Sequence, residues 1–286
     1  MTLVNSLPSS HPAGLFEVGQ RPPLGKYLAE AWRMRRFALT LASYRLVGSL
    51  VRNRLGVLWI VLRPLMTAVI YGVIFGAVLS SQARPADFVP YLITGFFTFE
   101  FFTGCFGNGS KAITANSKLV QSLGFPRILL PVSVVAEQAM RMVPIVVLLA
   151  VLLLIFGQPI TWAWLLVLPI LALMAVFNLG VVLIVARMSV QTRDVQQLIP
   201  IVNRVLLYAS AVFFQVDKVF ADNPVILTIA HLVPTYDFIA LVRGVMLPAH
   251  PAPTLALIAA PVWALLAIVI GVVYFWDAEA RYGLSD

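Results

Sequence analysis

Apolar residues run along this chain in long unbroken blocks rather than in alternation. Several blocks reach the roughly 20 residues that a helix needs to cross a hydrocarbon core about 30 Å thick. The pattern predicts an all-α polytopic membrane protein with six transmembrane helices. The first span runs from about Val57 to Leu79, the second from Phe88 to Ala112 and the third from Ile128 to Phe156. The fourth covers Trp162 to Ala186, the fifth Val195 to Phe214 and the last Leu255 to Trp276.

Two regions break the pattern. From Leu24 to about residue 56, Leu, Trp32, Phe37 and Tyr44 are mixed with Lys26, Arg33, Arg35, Arg36, Arg45, Arg52 and Arg54. That segment is too charged to span, and it reads as an N-terminal amphipathic helix in the membrane interface, its Arg stems snorkelling to headgroups. Packing against a partner protein is the competing reading. Between Asn223 and Leu247, Pro224, Pro234 and Pro248 cut an apolar stretch into pieces too short to cross. Two short re-entrant or interfacial helices fit there, and a seventh full span is the alternative. The organisation expected is a disordered tail at 1–23, the interface helix at 24–56, a transmembrane domain at 57–276 and a tail at 277–286.

Composition agrees with a membrane location. Of 286 residues 60% are hydrophobic and 11% charged, against about a quarter charged in a soluble domain. The net charge of +8 does not point to nucleic acid, because the basic residues flank the apolar blocks. Fourteen of them, including Lys111, Lys118 and Arg127 after the second span and Arg187 and Arg193 after the fourth, fall on one side. Arg84, Lys218 and Arg243 fall on the other. The bias places both termini in the cytoplasm. The residues before about position 25 lack the apolar stretch of a signal peptide. Sixteen Arg against four Lys hint at a GC-rich bacterial genome.

Catalytic and metal chemistry find no carriers. His11, His231 and His250 are scattered and Cys105 is single, so neither a zinc signature nor a disulfide is available within the chain. No nucleophile or paired-carboxylate motif stands out. The string Gly107-Asn108-Gly109-Ser110-Lys111 lacks the spacing of a phosphate-binding loop. Any ATP-driven work therefore needs an ATPase on another chain, where ATP and Mg would bind; no cofactor is expected here. A membrane-embedded transferase would need clustered acids or His, which are not seen.

Charges inside spans are costly and are functional candidates by default. Glu137 and Arg141, spaced i, i+4, face the same way and can pair; a structural lock and a transport role both fit. Glu100 sits mid-span amid Phe96, Phe97, Phe99, Phe101, Phe102 and Phe106, with Tyr71 and Phe75 on the preceding span. It faces an aqueous path or meets Arg204 or Arg141. Tyr71, Phe75, Phe97, Glu100 and Phe101 are candidate channel-lining residues, since sugar rings bind against aromatic faces; core or lipid packing is the alternative. The segment Ala115 to Arg127 holds a short helix with Asn116, Lys118 and Gln121 exposed and Leu119 and Leu123 available to dock, a natural contact for a motor subunit.

The stretch Arg54-Leu55-Gly56-Val57-Leu58-Trp59, running on to Pro64 and Leu65, resembles a signature of the permease subunits of ABC transporters that export polysaccharides, O-antigens and teichoic acids. Phe125-Pro126-Arg127 with Leu130-Pro131, Arg193-Asp194-Val195, Val233-Pro234 with Arg243, and Phe275, Glu279 and Tyr282 resemble further motifs of that family in the same order. Val51-Arg52-Asn53 and Val233-Pro234 depart from its usual Tyr-Ser and Asn-Pro, which bears on substrate subtype. The resemblance covers roughly 25–282 and implies a homodimer with two cytoplasmic ATPase subunits in a bacterial inner membrane, moving a lipid-linked glycan, with an actinobacterial galactan exporter as one subtype. ATPase coupling would pass through Asn116, Ser117, Lys118, Leu119, Gln121, Phe125 and Arg127. Pro234, Asp237 and Arg243 would form the outer gate region. A drug or small-lipid ABC exporter is the runner-up; the short loop Ser80 to Asp87 favours the glycan branch.

Overall fold

The computed structural model describes residues 22–51, 56, 58–78, 85, 87–192, 194–219 and 229–279. Most of the N-terminal tail lies outside them. So do Arg54, Leu55 and Val57 of the first motif, Arg193, most of the first short piece after Asn223, and Tyr282.

All regular structure among the described residues is helical. Two helices open the chain, α1 (Leu24–Arg33) and α2 (Arg35–Val51), divided at Met34. Here the expected interface segment is recovered as two pieces. Tyr27, Ala38 and Ala42 are buried and Met34, Phe37 and Leu41 pack half-buried beside them, while Trp32 and Tyr44 are exposed. The end of the bundle that carries α1 and α2 is called the basic end below.

Among the described residues, five helices are long and apolar enough to cross a membrane. They are α3 (Leu58–Val78), α4 (Phe88–Gly109), α6 (Leu129–Ile155), α7 (Val167–Gln191) with the 3-10 turn Trp162–Leu166 ahead of it, and α11 (Thr254–Asp277). Each lies within a few residues of an expected span. Helix α4 is the hub, packed against α3, α6, α7, α8 (Val195–Ala209) and α10 (Pro234–Met246). Its Phe97, Phe99, Phe101 and Phe102 are almost fully enclosed.

Helices α7 and α11 form the closest pair. A Cβ added at Gly180 would lie 2.2 Å from the Ala267 carbonyl carbon, and one at Gly271 would lie 2.4 Å from the Gly180 oxygen. The backbones touch there. Ala256, Ala260, Ala264, Ala267 and Gly271 make one small-residue stripe at i, i+4 and near-i+4 spacing, which lets helices approach without side chains intervening.

The expected fifth span is where sequence and structure part. Helix α8 has 15 residues, so at 1.5 Å per residue it covers only about 22 Å. It stops at Ala209, and residues 210–215 continue as a buried irregular stretch with Ala211 at φ 50° before the short α9 (Val216–Val219). The physical reason lies in Arg243. Its guanidinium donates to the carbonyls of Ala211 (3.1 Å) and Val212 (2.8 Å), supplying the partners that a continued helix would otherwise provide.

Candidate functional site

At the basic end, a 3-10 turn (Thr114–Asn116) leads into α5 (Ser117–Ser122). Ser117, Lys118, Gln121 and Ser122 are exposed, as a contact helix requires. The docking residue differs from expectation. Val120 is buried and Leu119 half-buried, whereas Leu123 is 52% exposed. The backbone becomes extended at Leu123, so that residue leaves the helical face that Leu119 and Val120 share.

Asn116 is tied back to the bundle. It accepts from Arg45 Nη2 at 3.0 Å and donates to the Ala112 carbonyl at 2.7 Å. Arg45 also donates to Ser133 Oγ at 3.0 Å, so one side chain of α2 holds both the approach to α5 and the first turns of α6. Burial pulls the Arg45 guanidinium below its ordinary value, with Glu137 opposing. Phe125 is buried against Phe37, ring centroids 5.1 Å apart.

Beyond α5, Glu279, just past α11, closes on Arg127 and Ile128. Glu279 accepts the Tyr27 hydroxyl at 2.7 Å through Oε2 and the Arg127 backbone N–H at 3.0 Å through Oε1. The Arg127 side chain donates to the Glu279 carbonyl, and the Ile128 N–H to the Tyr27 oxygen at 3.1 Å. Three distant parts of the chain thus meet at one buried carboxylate. Burial raises the Glu279 pKa, opposed by the Arg127 N–H, the Tyr27 hydroxyl and the Arg127 charge. Tyr27 and Arg45 were not singled out from sequence. Each is one member of an Arg- and aromatic-rich segment, and nothing local marks it.

Deeper in the bundle, Glu137 and Arg141 do pair, at 2.8 Å. Arg141 also donates to Ser49 Oγ of α2 at 2.9 Å. A cavity of about 680 Å³ opens beside this pair, between α2, α3, α4 and α6, with Arg63, Glu100, Gln138 and Arg141 in its walls. Among the described residues Glu100 meets neither Arg204 nor Arg141; it lies in the field of Arg63 and receives the Thr103 hydroxyl at 3.4 Å. Arg204 is exposed on α8.

The candidate lining aromatics divide. Tyr71 and Phe75 stand at the α3–α8 edge, Phe75 stacked on Phe213 at 4.1 Å and Tyr71 tilted against Phe96 and Phe213. Phe97 is fully buried in the bundle, while Phe101, nearly as enclosed, contributes to the cavity wall.

At the opposite end, Pro234 starts α10, and Asp237 and Arg243 lie on it without touching each other. Asp237 binds His231 Nδ1. Arg243 is 3% exposed, 3.4 Å above the Tyr91 ring, and it donates to the Tyr91 carbonyl as well as to Ala211 and Val212. It is therefore an internal clamp rather than the loop charge that position alone suggests. His250 bridges Asp87, just before α4, and Gln215.

A helix bundle with, among the described residues, five membrane-length apolar helices, a short exposed helix at its basic end and charged groups held inside the bundle defines a polytopic membrane protein. Residues 38–247, from α2 to the end of α10, match the ABC-2 type transporter family, and the chain belongs to it. Among characterised relatives, it is 26% identical over 168 residues to the O-antigen export system permease protein RfbA of Klebsiella pneumoniae, covering 58% of this chain and 64% of that one. It is 24% identical over 257 residues to the protein of the same name from Myxococcus xanthus, covering 90% and 95%. The match to the Klebsiella protein thus spans less than two thirds of that protein's length.

Proposed function

We propose that this chain is the membrane subunit of an ATP-driven exporter that moves a lipid-linked polysaccharide out of the cytoplasm. The carrying observation is the largely exposed helix α5, docked through Val120 and Leu119 and wired through Asn116 and Arg45 into α2 and α6. Such a helix suits a contact that must receive force and pass it inward. Its place among basic residues supports a reading in which that end faces the cytoplasm of a bacterial inner membrane and α8 with residues 210–219 makes a sixth crossing.

A second copy would complete the path. Met66, Val69, Ile70 and Val73 on α3 and Leu198, Ile201 and Val205 on α8 are exposed. So is Arg204 on α8, while Arg63 of α3 opens onto the cavity described above. An Arg at that depth facing lipid is costly, which supports a homodimer whose α3 and α8 face a shared polar passage. Two ATPase subunits would bind at the α5 end and carry the nucleotide chemistry. The names of the bacterial relatives support a glycan substrate over a drug or small lipid.

The test is to express Lys118→Glu, or a chain lacking 116–122, with its ATPase partner in a strain depleted of the native chain. The variant protein is expected to insert while glycan export and substrate-stimulated ATP hydrolysis are lost. Normal export by either variant refutes the assignment of α5.

A further inference from the structure

The cavity between α2, α3, α4 and α6 holds chemistry that a lipid-facing or merely structural void would not. It measures about 680 Å³, within the range of small-molecule sites. Empty cavities in proteins are apolar, yet this one is walled by two guanidiniums (Arg63, Arg141), a carboxylate (Glu100) and two amides (Gln138, Asn108). Their presence at a level where the flanking helices are apolar demands polar partners.

Those partners are only partly supplied by the protein. Arg141 spends its donors on Glu137 and Ser49. The Arg63 guanidinium makes no hydrogen bond among the described residues, lying only in the field of Glu100. Gln138 turns its Oε1 toward Gly104, which leaves room for it because a Cβ there would sit 2.5 Å away. Trp59, 42% exposed, stands in the wall on the α3 side.

Charge then selects the ligand class. Arg63 and Arg141 are countered by Glu100 and Glu137, so no net field selects an isolated phosphate. A metal ion is disfavoured by Arg63 beside the single carboxylate. Hydroxyl groups both donate and accept, and they match a wall that alternates guanidinium, carboxylate and amide with aromatic faces at Trp59 and Phe101. We infer that this cavity binds a sugar residue at the head of a membrane-anchored glycolipid. This rests on the glycan-export reading and deepens it: the site receives the first sugars before they enter any path between two copies.

The test uses the full chain in phosphatidylcholine nanodiscs and reads tryptophan emission, with Trp59→Phe to assign the signal. The probes are farnesyl-pyrophosphate-N-acetylglucosamine, farnesyl pyrophosphate without sugar, and free N-acetylglucosamine. The lipid-linked sugar is expected to shift the emission saturably, at least ten-fold more tightly than either of the others. Glu100→Gln and the exposed-site Arg63→Gln should each weaken it at least ten-fold, while Trp162→Phe, 89% exposed at the far end, leaves it unchanged. Equal binding of farnesyl pyrophosphate overturns the sugar assignment. Equal binding of free N-acetylglucosamine overturns the membrane-borne source, and no saturable shift, or full affinity in both variants, overturns the site. Export that persists after loss of this binding sinks the site alone. Export that never depends on the chain sinks the broader reading even if binding is seen.

Discussion

Arg243 offers the sharpest check on how the half of the bundle away from the basic end is held. Replacing it with Met keeps most of the stem volume but removes every donor to the carbonyls of Tyr91, Ala211 and Val212. A hydrogen bond to a charged group contributes roughly 1.5–3 kcal/mol net, so three would total about 5–9 kcal/mol. The relief of not burying a guanidinium offsets several kcal/mol of that. A net loss of about 3–5 kcal/mol is expected, or a fall of roughly 6–20 °C in melting temperature for a protein of this size. The assay is intrinsic-fluorescence melting of the purified chain in nanodiscs.

Gly95 supplies an independent arm. A Cβ there would lie 2.2 Å from Arg243 Nη2 and 2.9 Å from its Cζ. A flexible side chain would swing away at small cost, but this head is fixed by three carbonyls and by Tyr91. Gly95→Ala should therefore destabilise by dislodging the same clamp, by about 1–3 kcal/mol. Because both changes strike one network, the double variant should fall well short of additivity. Arg243→Lys, with a donor but no planar fork, should lie between. An Arg243→Met melt within about 2 °C of the parent, or strict additivity with Gly95→Ala, would refute the clamp.

Two further outcomes follow from the same geometry. Gly180→Ala places a methyl 2.2 Å from the Ala267 backbone, which cannot rotate aside, so α7 and α11 must separate; a loss of about 1–3 kcal/mol is expected in the same melt, whereas Gly48→Ala, in open space, should gain up to about 1 kcal/mol from helix propensity. Glu279, whose pKa is raised by burial, binds its proton more tightly folded than unfolded, so its contribution is full below the ordinary Glu range and is lost as pH rises through the raised value; Glu279→Gln should flatten that part of the stability–pH profile, and an unchanged profile would count against a buried carboxylate there.

The close α7–α11 approach at Gly180 and Gly271 was not read from the sequence, whereas five of the expected spans were legible because hydrophobic length is a local property. Glu137 and Arg141 were legible for the same reason: i, i+4 contacts follow from helix geometry. What sequence hid was long-range pairing. Phe213 and Phe214 extend the apolar run of α8, and only Arg243, some thirty residues on, explains why the helix ends at Ala209. The Tyr27–Glu279 bond joins residues 252 apart, and no local pattern announces it. Leu123 reads as a docking residue on a helical wheel, but the helix has already ended when the chain reaches it.

The placement of Arg45 and Ser49 on α2 bears on how force reaches the bundle. They are four residues apart, hence on one helix face, and they engage Ser133 and Arg141, which lie eight apart on α6. Two such points, about two turns separated, prevent α2 from rotating or sliding against α6 without breaking both. Arg45 at the same time holds Asn116, immediately ahead of α5. If α5 is the contact for an ATPase, as proposed, a displacement of it would reach α2 and α6 together rather than be absorbed in a loop. Ser49 and Arg141 also belong to the wall of the cavity that contains Glu100, so on that reading the same displacement would be felt at the cavity. The proposed input at the basic end and the proposed polar site would then act as one device, because Ser49 and Arg141 are shared by the α2–α6 contact and by the cavity wall.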